Sequence, residues 1–435
     1  MYTCSNPYRP FYLPWNATDK MIRESPFDPN VKTIFLIHGF TDKYDEMNWM
    51  GDLKDHILRL STRVDLKDDH CDKNVIGVDW SKGAKTSFYA QAVANTQIVG
   101  AIVARFIKQL IQLNRNILTP DDFAVLGHSL GAQTAGFVGT HFKQEKIRTI
   151  IGLDPAGPAF SDIPETHRLD PSDAKLVVSV HTNGGEVLGD HFGIADPSGH
   201  YAFFPNGGDD QPGCEKTRAV TNVLLKGIST GISDTIVCSH RRAYRLVQVN
   251  ETLLTTAHSI GYRCPSYEDF KQGKCGTCGD LDHDRNDECK PFGNWYTWWL
   301  EQLPSPNWTK PIKYFIDTTD EKPYTLFHHQ IKVQTKRNID SFKGYIKITF
   351  FGELRDSDQI KIEPGTIEGN STYTYLLKTP KDLGRIPKAL VRVGQPKLIK
   401  AAGAFGAANT DDETTNPLNV IDNIKVHFMS HEHVE

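Results

Sequence analysis

Phe123-Ala124-Val125-Leu126-Gly127-His128-Ser129-Leu130-Gly131-Ala132-Gln133-Thr134-Ala135-Gly136 is the stretch on which the reading of this chain turns. Four apolar residues predict a buried strand, the small residues from Ala132 onward predict a helix, and between them stands G-x-S-x-G. A strand-to-helix turn this tight forces its central residue into strained dihedrals. Side chains two positions to either side would clash, so both are Gly. Ser129 is therefore expected to raise its hydroxyl above the sheet at a helix N-terminus. Bare G-x-S-x-G also occurs by chance as a glycine-rich turn; the strand before it and the helix after it favour a nucleophile.

A serine hydroxyl is a weak nucleophile and needs a histidine to take its proton and an acid to hold that histidine. On such a turn the chain order is Ser, Asp or Glu, His. Asp154 ends the apolar run Ile150-Ile151-Gly152-Leu153 and enters the turn Pro155-Ala156-Gly157-Pro158, and strand ends are where functional groups collect. For the base, the residues alone leave His167, His181, His191, His200, His240 and His258 open.

Outward from the turn, short apolar runs at 33–37, 74–78, 147–153 and 175–180 read as further buried strands, and Phe88 to Leu113 as an amphipathic core helix. Alternation of strand and helix means a mostly parallel sheet wrapped by helices. Around Leu303 to Pro311 the text becomes rich in Pro, Ser, Asn and Trp, which marks a linker. Beyond it the period changes to two, with short strands at 329–335, 344–350, 359–362, 373–377, 389–393 and 424–428 that predict a β-sandwich.

With 435 residues, two compact domains are expected, and 49 basic against 53 acidic side chains exclude a dedicated nucleic-acid binder. Polar residues interrupt the Phe88 to Leu113 stretch, so no transmembrane segment is expected. Cys264, Cys275, Cys278 and Cys289 crowd together, and Cys214 and Cys238 frame a loop. With the acceptor triplets at Asn16, Asn250, Asn307 and Asn370, they point to a secreted glycoprotein with disulfide bonds. Met1 to Trp15 is polar and proline-rich, so a secretion signal is expected to have been removed or left outside this sequence. A zinc site from the same four cysteines and His283 is the competing reading, and the secretory features favour disulfides.

Joined to Phe35-Leu36-Ile37-His38-Gly39-Phe40, Gly77-Val78-Asp79-Trp80, Gly152-Leu153-Asp154-Pro155-Ala156, Arg168-Leu169-Asp170-Pro171-Ser172-Asp173-Ala174, Phe203-Phe204-Pro205-Asn206-Gly207-Gly208 and Cys238-Ser239-His240, the serine turn resembles the pancreatic lipase family. The resemblance follows family order over nearly the whole first domain. It implies an α/β-hydrolase fold with a mostly parallel central sheet over 1–312, then a PLAT-like β-sandwich over 313–435. It implies Ser129 as nucleophile, Asp154 as acid and His240 as base, with the backbone N–H groups of Phe40 and Leu130 as oxyanion hole. Glu165, Arg168, Asp170 and Asp173 match the family's structural Ca²⁺ site, Arg168 through its carbonyl. Without the resemblance, those residues read as a solvated acidic loop.

The implied activity is triacylglycerol hydrolysis on lipid droplets or micelles, with no organic cofactor. The span 214–238 resembles the family's lid, its Val220, Val223, Leu224, Ile228, Ile232 and Ile236 recurring at helical spacing. The second domain implies lipid contact or a colipase-like partner. Two departures stand out. The chain passes from Trp15 to Lys32 quickly, so an early strand is expected to be missing. Cys4 and Cys71 lack near partners and are expected to pair with each other, while Cys264 to Cys275 and Cys278 to Cys289 follow from order. The rival activities are phospholipase A1 or galactolipase and, in a different class, a catalytically inactive lipid-binding protein, which the presence of Ser129, Asp154 and His240 disfavours.

Overall fold

The computed structural model describes residues 1–61, 73–185, 191–214, 237–247, 259–276, 278, 287–293, 310–394, 414–415 and 420–429. The expected lid helix within 215–236, Cys71 and His258 lie outside the described residues. Two units emerge: Met1–Thr256 with His283–Arg285 and Lys290–Tyr324, and Ala257–Asp282 with Asn286–Cys289 and Thr325–Glu435.

In chain order the strands begin with β1 (Lys32–Ile37), β2 (Lys73–Val78), β3 (Phe123–His128), β4 (Thr149–Leu153), β5 (Leu176–Val180) and β6 (Tyr201–Pro205). The short β7 (Ile260–Arg263) and β8 (Cys289–Pro291) precede β9 (Ile312–Ile316). In the first unit the order across the sheet is β2-β1-β3-β4-β5-β6-β9, and every neighbouring pair is parallel. Side chains alternate along each strand, so both faces of this sheet are apolar. Phe35, Ile37, Val125 and Ile150 pack on one face with Val103 and Ile107 of the helix Tyr89–Leu113. Leu36, Leu126, Ile151 and Val178 pack on the other with Trp49, Leu53 and Leu246. The helix Tyr89–Leu113 is long and apolar enough to cross a membrane by length and composition alone. Its Ala92, Thr96, Gly100, Val103, Ala104, Ile107 and Leu110 are buried, as in the core helix that the sequence predicts.

The second unit holds β10 (Phe327–Thr335), β11 (Phe342–Phe351), β12 (Ile360–Ile367), β13 (Thr372–Thr379), β14 (Lys388–Gly394), β15 (Thr414–Thr415) and β16 (Ile421–Phe428). They form antiparallel sheets of order β13-β10-β16 and β12-β11-β14-β15. Ile331, Val333 and Leu377 of one sheet share a core with Ile346, Ile348, Phe350 and Val393 of the other, so the unit is a β-sandwich. Disulfides Cys264–Cys275 and Cys278–Cys289 staple the preceding segment of this unit, which rules out the zinc reading. The Gln330 amide donates to the Gly273 carbonyl (2.6 Å) and Thr374 Oγ1 to the Gln272 carbonyl (2.8 Å). Cys4 is also disulfide-bonded.

Candidate active site

Ser129 sits between β3 and the helix Leu130–Gly139 at φ 58° and ψ −123°. That conformation typically costs about 1–3 kcal/mol in a residue with a side chain. The turn closes on backbone. A Cβ on Gly127 would lie 2.1 Å from the Gly131 carbonyl oxygen, and one on Gly131 would lie 2.2 Å from that of Ile37. Hydrogen bonds then lock Ser129: its N–H donates to Leu153 O (3.0 Å), and its carbonyl accepts from Ala132 N (3.0 Å) and Ala156 N (3.3 Å).

Asp154 follows β4 at φ 42°, fully buried, its N–H donating to Val180 O (2.7 Å). Its Oδ1 accepts from the backbone N–H groups of Thr182 (2.7 Å) and Asn183 (3.0 Å). Its Oδ2 accepts from His240 Nδ1 at 2.5 Å. Gly193 makes room for the carboxylate: a Cβ there would stand 2.5 Å from Oδ1 and 2.6 Å from Oδ2. No motif or period marks Gly193 for that role, because it reaches Asp154 only through the fold.

His240 is the third residue of the helix Cys238–Val247, whose first residue is bonded to Cys214. With Nδ1 donating to Asp154, its Nε2 is the nitrogen left to accept a proton. Ser129 and His240 line the same cleft, of about 970 Å³. Among the described residues the Ser129 hydroxyl has no hydrogen-bond partner in this structure.

The other histidines have different occupations. His181 Nδ1 donates to Ile194 O (2.9 Å) and its Nε2 meets Ser179 Oγ (2.9 Å), and burial lowers its pKa. His200 Nδ1 accepts from Val177 N (2.9 Å), and burial pulls its pKa down to about 4. His191 Nε2 contacts Asp209 Oδ1 at 2.5 Å, and His167 is exposed beside Thr166 Oγ1. Each was a candidate by chain order; among the described candidates only His240 hydrogen-bonds to Asp154.

The backbone N–H groups of Phe40 and Leu130 have no hydrogen-bond partner among the described residues. Gly39 touches Ser129, since a Cβ on it would lie 2.8 Å from Ser129 Cβ. His38 fixes the next peptide: its Nε2 accepts from Trp80 N (3.1 Å), so its Nδ1 carries the proton and donates to Gly39 O (3.0 Å). In a trans peptide the N–H points opposite to the C=O, so anchoring the Gly39 carbonyl also orients the Phe40 N–H. Leu130 opens a helix, where N–H groups are unpaired and the dipole is positive.

Phe40, Met47, Trp49, Tyr89, Phe192 and Val237 give the cleft apolar walls, and Met47 is almost wholly exposed. Arg241, Arg245 and Lys322 also line it, as do Asp42 and Asp52.

The acidic loop is more ordered than a solvated turn. Asp170 caps a short helical turn at Pro171–Asp173, with Asp170 Oδ1 accepting from Ser172 N (2.5 Å) and Asp173 Oδ2 accepting from Asp170 N (3.1 Å). Both carboxylates are buried, and burial together with the charge of Asp170 pushes Asp173 well above the usual range. A divalent cation would relieve that penalty, so these two donors fit hard-ion chemistry. Glu165 is exposed, and the Arg168 guanidinium lies 3.4 Å from Asp196 Oδ2 and 4.0 Å from Glu165 Oε1. Among the described residues, His191, Asp209 and Asp210 are the group whose ligand atoms already lie within 4.8 Å of one another.

The family model described as "Lipase" matches residues 1–324. Pancreatic lipase-related protein 2 of Bos taurus is 33% identical over 391 residues, covering 89% of this chain and 77% of its own. Pancreatic triacylglycerol lipase of Homo sapiens is 32% identical over 412 residues, covering 92% and 82%. Among solved structures, the crystal structure of esterase PE8 aligns at 18% identity with a TM-score of 0.22, covering 34% of this chain and 67% of that one.

Proposed function

The chain belongs to the lipase family and is a carboxylic ester hydrolase, and from that premise we propose that Ser129, His240 and Asp154 hydrolyse triacylglycerol at lipid–water interfaces. The carrying observation is the Asp154–His240 hydrogen bond beside a cleft that also holds the strained Ser129. Ser129 Oγ attacks the ester carbonyl carbon as its proton passes to His240 Nε2, a contact that tightens once substrate is bound. The tetrahedral oxygen takes its negative charge to the N–H groups of Phe40 and Leu130, each worth about 3 kcal/mol in such sites. Collapse expels the alcohol with the proton from His240, leaving an acyl-Ser129 ester. Water, deprotonated by the same nitrogen, then releases the fatty acid. Asp154 keeps His240 in the required tautomer and stabilises the imidazolium.

Three disulfides in the described chain fit an oxidising compartment, and we assign the protein to secretion. The apolar walls suit acyl chains. The span 214–238, closed by the Cys214–Cys238 bond, is assigned as a lid. Asp170 and Asp173, with Glu165 and the Arg168 carbonyl, are assigned to a structural Ca²⁺; the ion supplies charge balance to buried carboxylates and no chemical step is routed through it. The second unit is assigned to lipid contact, alone or with a colipase-like partner. A second reading, hydrolysis of phospholipid or galactolipid, is favoured by Arg241, Arg245 and Lys322 in the cleft, which suit a polar headgroup.

One preparation assayed on emulsified triacylglycerol, phospholipid vesicles and a soluble short-chain ester tests the reading. Triacylglycerol should be turned over fastest, and Ser129→Ala should abolish all three activities. Faster phospholipid turnover would replace the triacylglycerol assignment with the second reading, and activity surviving in Ser129→Ala would overturn the mechanism.

A further inference from the structure

His128 is the residue before the nucleophile, and no step of the proposed reaction uses it. It is buried at the end of β3, with its Nε2 3.0 Å from the backbone carbonyl oxygen of His240. A carbonyl only accepts, so Nε2 carries the proton and donates. Burial, foremost, and the neighbouring His240 and Arg241 hold the His128 ring well below the usual histidine range, so it stays neutral and keeps this one donor. The rings of His128 and His240 are 4.6 Å apart. On its other sides His128 meets Tyr244 edge-on at 5.0 Å and Trp49 at 5.9 Å, and these two stack on each other at 5.0 Å.

That arrangement is more than a filled core. In a helix the His240 carbonyl has its ordinary partner one turn on, and a carbonyl oxygen has a second lone pair for His128. The bond joins two parts of the fold that are far apart in sequence: the strand end that carries Ser129, and the helix that carries the base. Asp154 fixes the His240 ring through Nδ1, and the Cys214–Cys238 bond and Leu246 hold the helix to its surroundings, but none of these acts on the His240 carbonyl itself. We propose that His128 is a positioning residue that sets the spacing between Ser129 and His240 by holding the His240 carbonyl. Through it, the serine turn and the base move as one body when substrate enters.

The inference rests on the proposed roles of Ser129 and His240, so the experiment includes His240→Ala. His128→Phe keeps an aromatic ring, somewhat larger than imidazole, between Trp49 and Tyr244 but removes the donor. His128→Gln restores an N–H at nearly the Nε2 position, and His128→Asn carries the same amide one methylene short. Each is assayed on a soluble short-chain ester, with kcat and KM separated and folding checked by thermal unfolding.

A displacement on the scale of 1 Å costs about 100-fold in rate. The expected result is a kcat lowered about 10- to 100-fold in His128→Phe and His128→Asn at nearly unchanged KM, with His128→Gln recovering to within about threefold of the parent. If His128→Phe does not fold, the pair Gln against Asn carries the same comparison. Equal activity of the donor-bearing and donor-lacking variants, or a loss confined to thermal stability, overturns the inference while a dead His240→Ala keeps the triad. An active His240→Ala overturns the triad itself.

Discussion

Gly193→Ala adds one methyl group at a point where Asp154, the proposed catalytic acid, leaves no space. The new Cβ would lie 2.5 Å from Asp154 Oδ1 and 2.6 Å from Oδ2, whereas ordinary contact begins at 3.4 Å. Opening the gap from 2.5 to 3.4 Å moves the carboxylate or the Gly193 backbone by about 0.9 Å. Neither yields easily. The carboxylate is held by the N–H groups of Thr182 and Asn183 and by His240, and Gly193 N donates to Asn183 O at 3.0 Å. Overpacking of this kind costs about 1–3 kcal/mol of stability. A misplacement near 1 Å costs about 100-fold in rate, and complete loss of the acid's function about 10⁴-fold, so kcat should fall between these bounds. Asp154 does not line the cleft, so KM should hardly change. The assay is initial rates on a soluble short-chain ester, with urea unfolding on the same preparation. A folded Gly193→Ala protein whose kcat stays within about threefold of the parent would refute the reasoning.

Further outcomes follow from groups away from the chemistry. His200 is held at about 4, against an ordinary 6.5, so between these values the unfolded chain binds a proton that the folded chain refuses. Its contribution is intact above about pH 6.5 and is lost as pH falls, by about 2 kcal/mol at pH 5. His200→Asn, which can still accept from Val177 N but cannot titrate, should lose correspondingly less stability between pH 7 and pH 5 in urea unfolding; an unchanged difference would reject this. Ca²⁺ at a hundredfold excess over its Kd should add about 2.7 kcal/mol to stability, and Asp170→Asn or Asp173→Asn should remove that gain. Melting curves indifferent to Ca²⁺ and to chelator would reject the site. Replacing Cys214 and Cys238 together by Ser opens a loop with a sequence separation of 24, which should cost at most about 3.5 kcal/mol. The same pair should lower activity on emulsions more than on monomeric ester, and equal losses on both would count against the assigned lid.

The serine turn was legible because everything that shapes it is local. The strand, both glycines and the helix are contiguous in sequence, and the clashes that demand Gly127 and Gly131 involve backbone no farther away than β1. Asp154 was legible as a strand end. The proposed base was not, from residues alone, because the partner of His240 lies 86 positions away, and His181 and His200 look the same on paper while bonding to backbone. The resemblance to a family separated His240 from the rest. Strands β6 and β9 left little trace for the same reason: Tyr201 pairs with Ile312 in a parallel register that no local pattern encodes. Gly193 against Asp154 and His128 on the His240 carbonyl are contacts of the finished fold: Gly193 stands in no motif, and the motif that holds His128 does not name its partner.

The central claim is that Ser129 is the covalent nucleophile, and an active-site phosphonylating reagent reads it directly. An alkyl fluorophosphonate loses fluoride to the attacking hydroxyl and leaves a stable phosphonyl ester, so peptide mass spectrometry of the labelled protein identifies the attacking oxygen. One label per chain on the peptide carrying Ser129, loss of esterase activity in step with labelling, and no labelling of Ser129→Ala or His240→Ala are the predicted results. A label on another residue, or full activity in protein labelled at Ser129, would contradict the account.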